Sequence, residues 1–227
     1  WQTSWGLSWR LIGAIVMVHG DDKGIILPPR IAPIQVIIIP IFKDKDADKI
    51  KSKARETADK LKGFGLRVQV DDRDEYTSGW KFNEWEVKGV PLRINIGKRE
   101  IEKDEAELVR RDTMEKVTTY DDDNLGSFVT NILDDIQANL FIRARKLLDQ
   151  NFTEAASFEA FKYTLANKGG FVLSGWCQNQ ECELKIKEET GADIRVIPFD
   201  WQDLSKFPNC IYCRRQSKTT AIFAHAY

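Results

Sequence analysis

Four cysteines carry the most specific chemistry in this sequence: Cys177, Cys182, Cys210 and Cys213. They form a Cys-x4-Cys pair, an interval of 27 residues and a Cys-x2-Cys pair, all within the last 51 residues. Thiolates bind a soft divalent cation tetrahedrally at about 2.3 Å, and a two-residue gap lets Cys210 and Cys213 turn toward one ion. The looser pair can add two ligands from a strand end and a helix start. Four protein ligands leave no open position, so such an ion holds structure and does no chemistry. Disulfides, a redox Cys-x2-Cys and four unrelated core thiols compete with this reading. The absence of a basic and apolar leader disfavours disulfides. A redox motif should open a helix after a strand, and the context here does not match. Clustering into two close pairs argues against unrelated thiols. One structural zinc per chain is the expectation.

A second chemical feature lies at Trp1-Gln2-Thr3-Ser4-Trp5-Gly6-Leu7-Ser8-Trp9-Arg10. A turn of small residues ends in an arginine that opens an apolar segment. Backbone N–H groups and a guanidinium placed this way suit an anionic ligand. Taken alone, the pattern is more often a plain helix start. His19 and His225 are the only histidines. His19 reads as a packed or capping residue of a His-Gly-Asp turn and His225 as a surface residue. No Ser/His/Asp or Cys/His nucleophile constellation can be assembled from them.

The elements that must position these residues follow from periodicity. Pro28, Pro29 and Pro33 interrupt any helix and mark an expected domain boundary. Val36–Ile41 is a β-branched run, the signature of a strand buried on both faces. Ala47, Ile50, Ala54, Ala58 and Leu61 recur at helical spacing over Asp46–Phe64, and Gly63 and Gly65 stop that helix. Leu66–Val70 alternates as a strand, Lys81–Val87 is helical and Pro91–Ile96 alternates again. Short strands are expected at Glu107–Arg110 and Glu115–Thr119. Asp123 or Asn124 is placed to cap a long helix over Leu125–Asn151. Beyond it the pattern predicts a helix at Ser157–Asn167, a strand at Phe171–Trp176, a helix at Cys182–Thr190, a strand at Asp193–Phe199 and a last strand at Thr219–Ala224. Strand and helix alternation implies an α/β domain with a mixed sheet, followed by a smaller α+β unit.

Composition excludes several classes. The 227 residues suffice for one large domain or a few small ones. Hydrophobic residues make up 42%, too many for a disordered chain. No apolar run approaches the roughly 20 residues of a membrane span. The net charge of −1 gives no general case for a polyanion partner. It conceals a mildly basic block, with 15 basic and 12 acidic residues over 33–100, beside an acidic one, with 7 and 12 over 101–150.

The opening segment resembles motif 3 of a class II aminoacyl-tRNA synthetase in the form found in prolyl-tRNA synthetases. The likeness continues in Met17-Val18-His19-Gly20-Asp21-Asp22-Lys23-Gly24 and Leu27-Pro28-Pro29-Arg30. It extends through Asp71-Asp72-Arg73, Gly79-Trp80-Lys81-Phe82-Asn83-Glu84-Trp85-Glu86, Lys88-Gly89-Val90-Pro91 and Arg110-Arg111-Asp112 to Ala226-Tyr227. The cysteine-bearing end is similar to the archaeal/eukaryotic-like type of that family.

The resemblance implies three parts: the end of a catalytic domain (1–32), an α/β anticodon-binding domain (33–124) and a zinc-binding α+β domain with a long connecting helix (125–227). It implies that Arg10 contacts ATP and stabilises phosphate charge, with Gln2 and Ser8 beside the nucleotide and its Mg²⁺. Ser4, Trp5 and Gly6 would line the proline pocket. Trp9 departs from the family's small threonine. Phe82, Glu86, Arg93, Arg99 and Glu100 would read the anticodon guanines by stacking and edge hydrogen bonds, with Glu100 standing where relatives often carry aspartate. On physics alone, Glu86 and Arg93 read as a surface ion pair. Tyr227 would fold back toward the catalytic site. The implied partners are tRNA(Pro), proline and ATP in a cytoplasmic homodimer with no membrane contact, within a multisynthetase complex in a eukaryotic setting.

Motifs 1 and 2 of the family are missing, and about 30 residues cannot build a class II catalytic sheet. The expected function is therefore the C-terminal part of a prolyl-tRNA synthetase, inactive alone. The alternative is a stand-alone RNA-binding module without catalysis; the motif 3 segment favours the first.

Overall fold

A computed structural model describes residues 2–42, 46–119 and 124–225. Asp123 and Tyr227, assigned roles above, lie outside the described residues. The chain divides into two compact units, one through Ala144 and one from Arg145.

The first unit opens with helix α1 (Arg10–His19), which buries no residue. Strand β1 (Val36–Ile41) is followed by α2 (Ala47–Gly63), β2 (Val68–Val70), α3 (Ser78–Val87) and β3 (Leu92–Gly97). Helix α4 (Lys98–Lys103), strands β4 (Ala106–Arg110) and β5 (Lys116–Thr119) and the long helix α5 (Leu125–Gln150) follow, the last turns of α5, from Arg145, falling in the second unit. The five strands form one sheet in the order β2-β1-β3-β4-β5. The first three are parallel and the last two antiparallel, which is the mixed α/β sheet expected from the alternation.

Strand β1 tolerates Pro40 because its pairing with β2 ends at Ile38, so one edge needs no N–H there. Val36, Ile38, Leu92, Ile94 and Leu108 face α2 and α5 and form the main core. The other face is smaller: Ile37 and Ile39 pack with Trp85 and Val90, and Phe82 leans against them. Helix α2 buries Ile50, Ala54, Ala58 and Leu61, four of the five positions its periodicity marked, while Ala47 is half-buried. Helix α5 contributes Leu125, Val129, Ile132, Leu133, Ile136 and Leu140 to the same core. Its packing ties this connecting helix to the sheet as far as Leu140. The Phe64 ring packs directly over Gly126 where α5 meets the end of α2, and an added Cβ there would displace that ring.

The Pro-rich stretch is not a free linker. Arg67 donates to the carbonyls of Pro29 and Ala32 at 2.8 Å each, and Ala32 is buried. Arg111 grips Asp21 through both guanidinium nitrogens at 2.7 Å. Asp71, at the end of β2, accepts from Arg73 Nε at 2.8 Å and Trp85 Nε1 at 2.8 Å. Asp112 accepts from Arg110 at 2.9 Å and Asn139 at 2.6 Å. Several charged motif residues are thus struts between loops and the sheet.

The second unit builds a four-stranded sheet, β6-β7-β9-β8, from β6 (Phe152–Glu154), β7 (Phe171–Trp176), β8 (Ala192–Val196) and β9 (Thr219–His225). Helices α6 (Phe158–Asn167) and α7 (Gln180–Thr190) cover one face over Phe161, Leu165, Val172, Ile186 and Phe223. The Phe161 and Phe223 rings meet edge-on at 5.2 Å. Leu173, Phe207 and Ile222 form a second cluster with Phe152 and Phe171. Among the described residues no helix is long and apolar enough to cross a membrane.

Candidate functional site

The cysteines converge in the second unit. Strand β7 ends at Trp176 and delivers Cys177. Gln178 takes a left-handed turn at φ 62°, and Asn179 caps α7 by accepting from the Glu181 N–H at 2.9 Å. This seats Cys182 in the first turn of α7. The other pair sits in a tight loop. Cys210 N–H donates to Arg215 O at 2.7 Å, Arg214 N–H donates to Cys210 O at 3.1 Å, and Arg214 adopts φ 60°. Ile211 N–H donates to Gly175 O at 2.9 Å, which holds the loop on β7. A Cβ on Gly175 would collide with Ser217 Oγ and lie 2.6 Å from Asn209 O, so the loop can close on the strand only over glycine.

All four sulfurs lie within 4.8 Å of one another. Cys177 Sγ is 3.6 Å from Cys182 Sγ and 3.7 Å from Cys213 Sγ. Four sulfurs about 2.3 Å from a central ion would stand about 3.8 Å apart in a tetrahedron. The two separations from Cys177 are close to that spacing, and the four thiols form no disulfide. Burial pushes the Cys182 and Cys210 thiols up. Burial also opposes ionisation at Cys213, but the Arg215 N–H and the neighbouring thiols outweigh it and bring that thiol down to about 7. The donor set fits a soft tetrahedral ion and leaves no ligand position open.

The second candidate region lies on the α3 side of the first unit's sheet. Thr77 caps α3 by accepting from the Trp80 N–H at 3.3 Å. Phe82 and Glu86 fall one helical turn apart. Arg93 projects from β3 beneath them: its guanidinium carbon is 4.0 Å from the Phe82 ring centroid, and Nη1 donates to Glu86 Oε1 at 2.9 Å. The side chains of Arg93 and Glu86 are 11% and 19% exposed, more enclosed than the surface pair their spacing suggested. Lys23 Nζ stands 3.9 Å from the second oxygen of Glu86. Arg93 Nε is buried without a hydrogen-bond partner.

Three further residues share this face and were missed at the level of sequence. Asn95 lies two residues beyond Arg93, is buried, and donates to Glu107 Oε1 at 2.7 Å. Glu107 is its partner across the β3–β4 ladder, and Lys116 on β5 reaches Glu107 at 3.3 Å. The signal was present: Arg93 and Asn95 are the polar positions of an alternating strand whose other residues are apolar.

Arg99 and Glu100 sit in the first turn of α4. Arg99 is exposed, and Glu100 Oε2 accepts from Gly97 N–H at 3.0 Å, which fixes the start of the helix. No hydrogen bond or ion pair joins either to Phe82, Glu86 or Arg93 among the described residues. Gln2, Ser4, Trp5, Gly6, Ser8 and Arg10 are all exposed, and Trp9 is 86% exposed. Within that segment Arg10 N–H donates to Ser8 Oγ at 3.4 Å.

A mixed sheet with enclosed aromatic and charged side chains on one face defines the class of the first unit: residues 35–132 match the family model of the anticodon-binding domain. Residues 158–227 match the family model described as prolyl-tRNA synthetase, C-terminal. The chain is 44% identical over 231 residues to proline–tRNA ligase 2 of Clostridioides difficile, with all of this chain and 46% of that protein aligned. It is 45% identical over 226 residues to proline–tRNA ligase of Acetoanaerobium sticklandii and 46% identical over 226 residues to that of Ruminiclostridium cellulolyticum, with the same coverage of 100% and 46%. The chain belongs to the prolyl-tRNA synthetase family and matches its C-terminal portion. It spans about half the length, 46%, of the curated relatives it matches.

Proposed function

We propose that this chain is the tRNA-reading, zinc-bearing C-terminal part of a proline–tRNA ligase. The Phe82–Glu86–Arg93 arrangement carries the reading. A carboxylate already ordered by an arginine can accept from the N1–H and N2–H₂ edge of guanine, and Phe82 offers an aromatic surface beside it. Arg99, exposed in α4, supplies a cation for guanine O6/N7 or phosphate, and Glu100 stands next to it. In the whole enzyme, proline attacks the α-phosphate of ATP to give prolyl-adenylate and pyrophosphate, and the terminal ribose hydroxyl of tRNA(Pro) then takes the prolyl group. Arg10, with Gln2 and Ser8, would hold ATP and its Mg²⁺, and Ser4, Trp5 and Gly6 would meet the proline ring. Cys177, Cys182, Cys210 and Cys213 would hold one structural zinc.

Glu86→Ala is expected to weaken binding of tRNA(Pro) about ten-fold, and binding of a tRNA with another anticodon far less, in equilibrium titrations at one fixed salt concentration. Equal losses for both tRNAs would make Glu86 a structural residue.

The alternative, an RNA-binding module without catalysis, is favoured by one observation: α1 and the segment before it bury nothing among the described residues. On the ligase reading, catalysis needs the rest of a longer protein. The chain alone is then expected to give no proline-dependent ATP–pyrophosphate exchange above background. Appreciable exchange would contradict that assignment.

A further inference from the structure

The second unit contains a cavity of about 660 Å³ between the end of α5, the β6–β7–β9 face and the loop around Trp201. This volume lies within the range of small-molecule sites. Its walls are aromatic: Phe152, Phe171, Trp201 and Phe207, with Leu173 and Ile222 on the sheet. Trp201 and Phe152 meet edge-on at 5.4 Å.

The loop is pinned in place. Gln202 Oε1 accepts from the Thr219 hydroxyl at 2.7 Å and the Thr220 N–H at 2.9 Å. Thr220 Oγ1 donates to Trp201 O at 2.6 Å. The aromatic wall is therefore formed before any ligand arrives.

The rim has a definite charge. Arg145 pairs with Asp149 at 3.0 Å, and Lys206 pairs with Glu154. Asp203 is engaged by the N–H groups of Ser205 and Lys206 at 3.1 Å each. Asp200 lines the same cavity and pairs with no cation or donor among the described residues. Both cations of the rim are thus neutralised and two further carboxylates stand beside them.

We propose that this cavity is a binding site for a flat aromatic ligand carrying one positive charge. The ring system would lie among Phe152, Phe171 and Trp201, and the cation would face Asp200. This site is separate from the anticodon and ATP readings above and does not depend on them.

The test is ¹⁹F NMR of the chain labelled with 5-fluorotryptophan, with the Trp201 resonance assigned through Trp201→Phe. Naphthylmethylammonium is the probe, with naphthylmethanol and naphthoate as neutral and anionic counterparts. The Trp201 signal should shift saturably with a Kd of about 1 mM or tighter. The neutral and anionic compounds should bind at least about five-fold more weakly, and Asp200→Asn, an exposed change, should weaken the probe by about five-fold at unchanged melting temperature. No saturable shift, equal binding of all three compounds or full affinity in Asp200→Asn would overturn the proposal. A Trp201 signal that moves with protein concentration before any probe is added would assign the cavity to a second copy of the chain, and would overturn it too.

Discussion

Cys210→Ser is expected to lower the melting midpoint of the second unit while leaving that of the first unchanged. Cys210 is fully buried, its N–H and carbonyl close the loop that carries Cys213, and its sulfur completes the four-thiol cluster. With the proposed zinc bound, folding and metal binding are one equilibrium, because the unfolded chain offers no preformed site. Losing one ligand of a structural site should cost at least about 3 kcal/mol. For a unit running from Arg145 to Tyr227 this lowers the midpoint by roughly 10–25 °C. Chelation of the wild-type chain should produce the same shift. Metal analysis should give one zinc per chain. A content under about 0.2 equivalents, with a midpoint unmoved by chelator, would remove zinc from the account.

The second large effect is expected at Asp71 in the first unit. Its side chain is 1% exposed, and Lys81 beside it is 3% exposed. Burial alone would raise the carboxyl pKa, but hydrogen bonds from Arg73 and Trp85 and the charge of Lys81 outweigh it and bring the value to about 2. The folded value lies below the unfolded value of about 3.9. Its stabilisation is therefore complete above about pH 4 and is lost as pH falls toward 2. Asp71→Asn keeps the shape but leaves the buried Lys81 without its charge partner, while Arg73 keeps Glu84, at a cost of about 3–5 kcal/mol near neutral pH. Urea unfolding followed from pH 7 to pH 2 should show that loss at neutral pH and a shallower fall between pH 4 and 2. Asp21 and Asp112 are also held low by Arg111 and Arg110, so part of the acid sensitivity should remain. A variant of wild-type stability at pH 7 would contradict this account.

Where the sequence was legible, the cause was periodicity. The apolar spacing of α2 named four of its buried positions, and the β-branched run of β1 announced a strand buried on both faces. The cysteine spacing foretold a cluster because so few arrangements of two close pairs serve chemistry. Strand β6 has only three residues, too few to alternate, and was missed. Helix α4 was also missed: Lys-Arg-Glu-Ile-Glu-Lys has no apolar stripe, and the helix is started by Glu100 reaching back to Gly97. Helix α5 carries apolar residues along much of its length, so only tertiary packing reveals that its first turns belong to the sheet. The stacking of Arg93 on Phe82 joins a helix to the next strand across Gly89, a contact no spacing rule states.

The most direct test of the central claim is the affinity of this chain for tRNA(Pro), compared with the same tRNA whose anticodon guanines are replaced by adenines, at one fixed salt concentration. Loss of the guanine N2–H₂ donors and O6 acceptors should cost about 2 kcal/mol, near 30-fold in Kd, and Glu86→Ala should abolish most of the difference. Affinities equal within about two-fold for both tRNAs would contradict anticodon reading by the α3–β3 face.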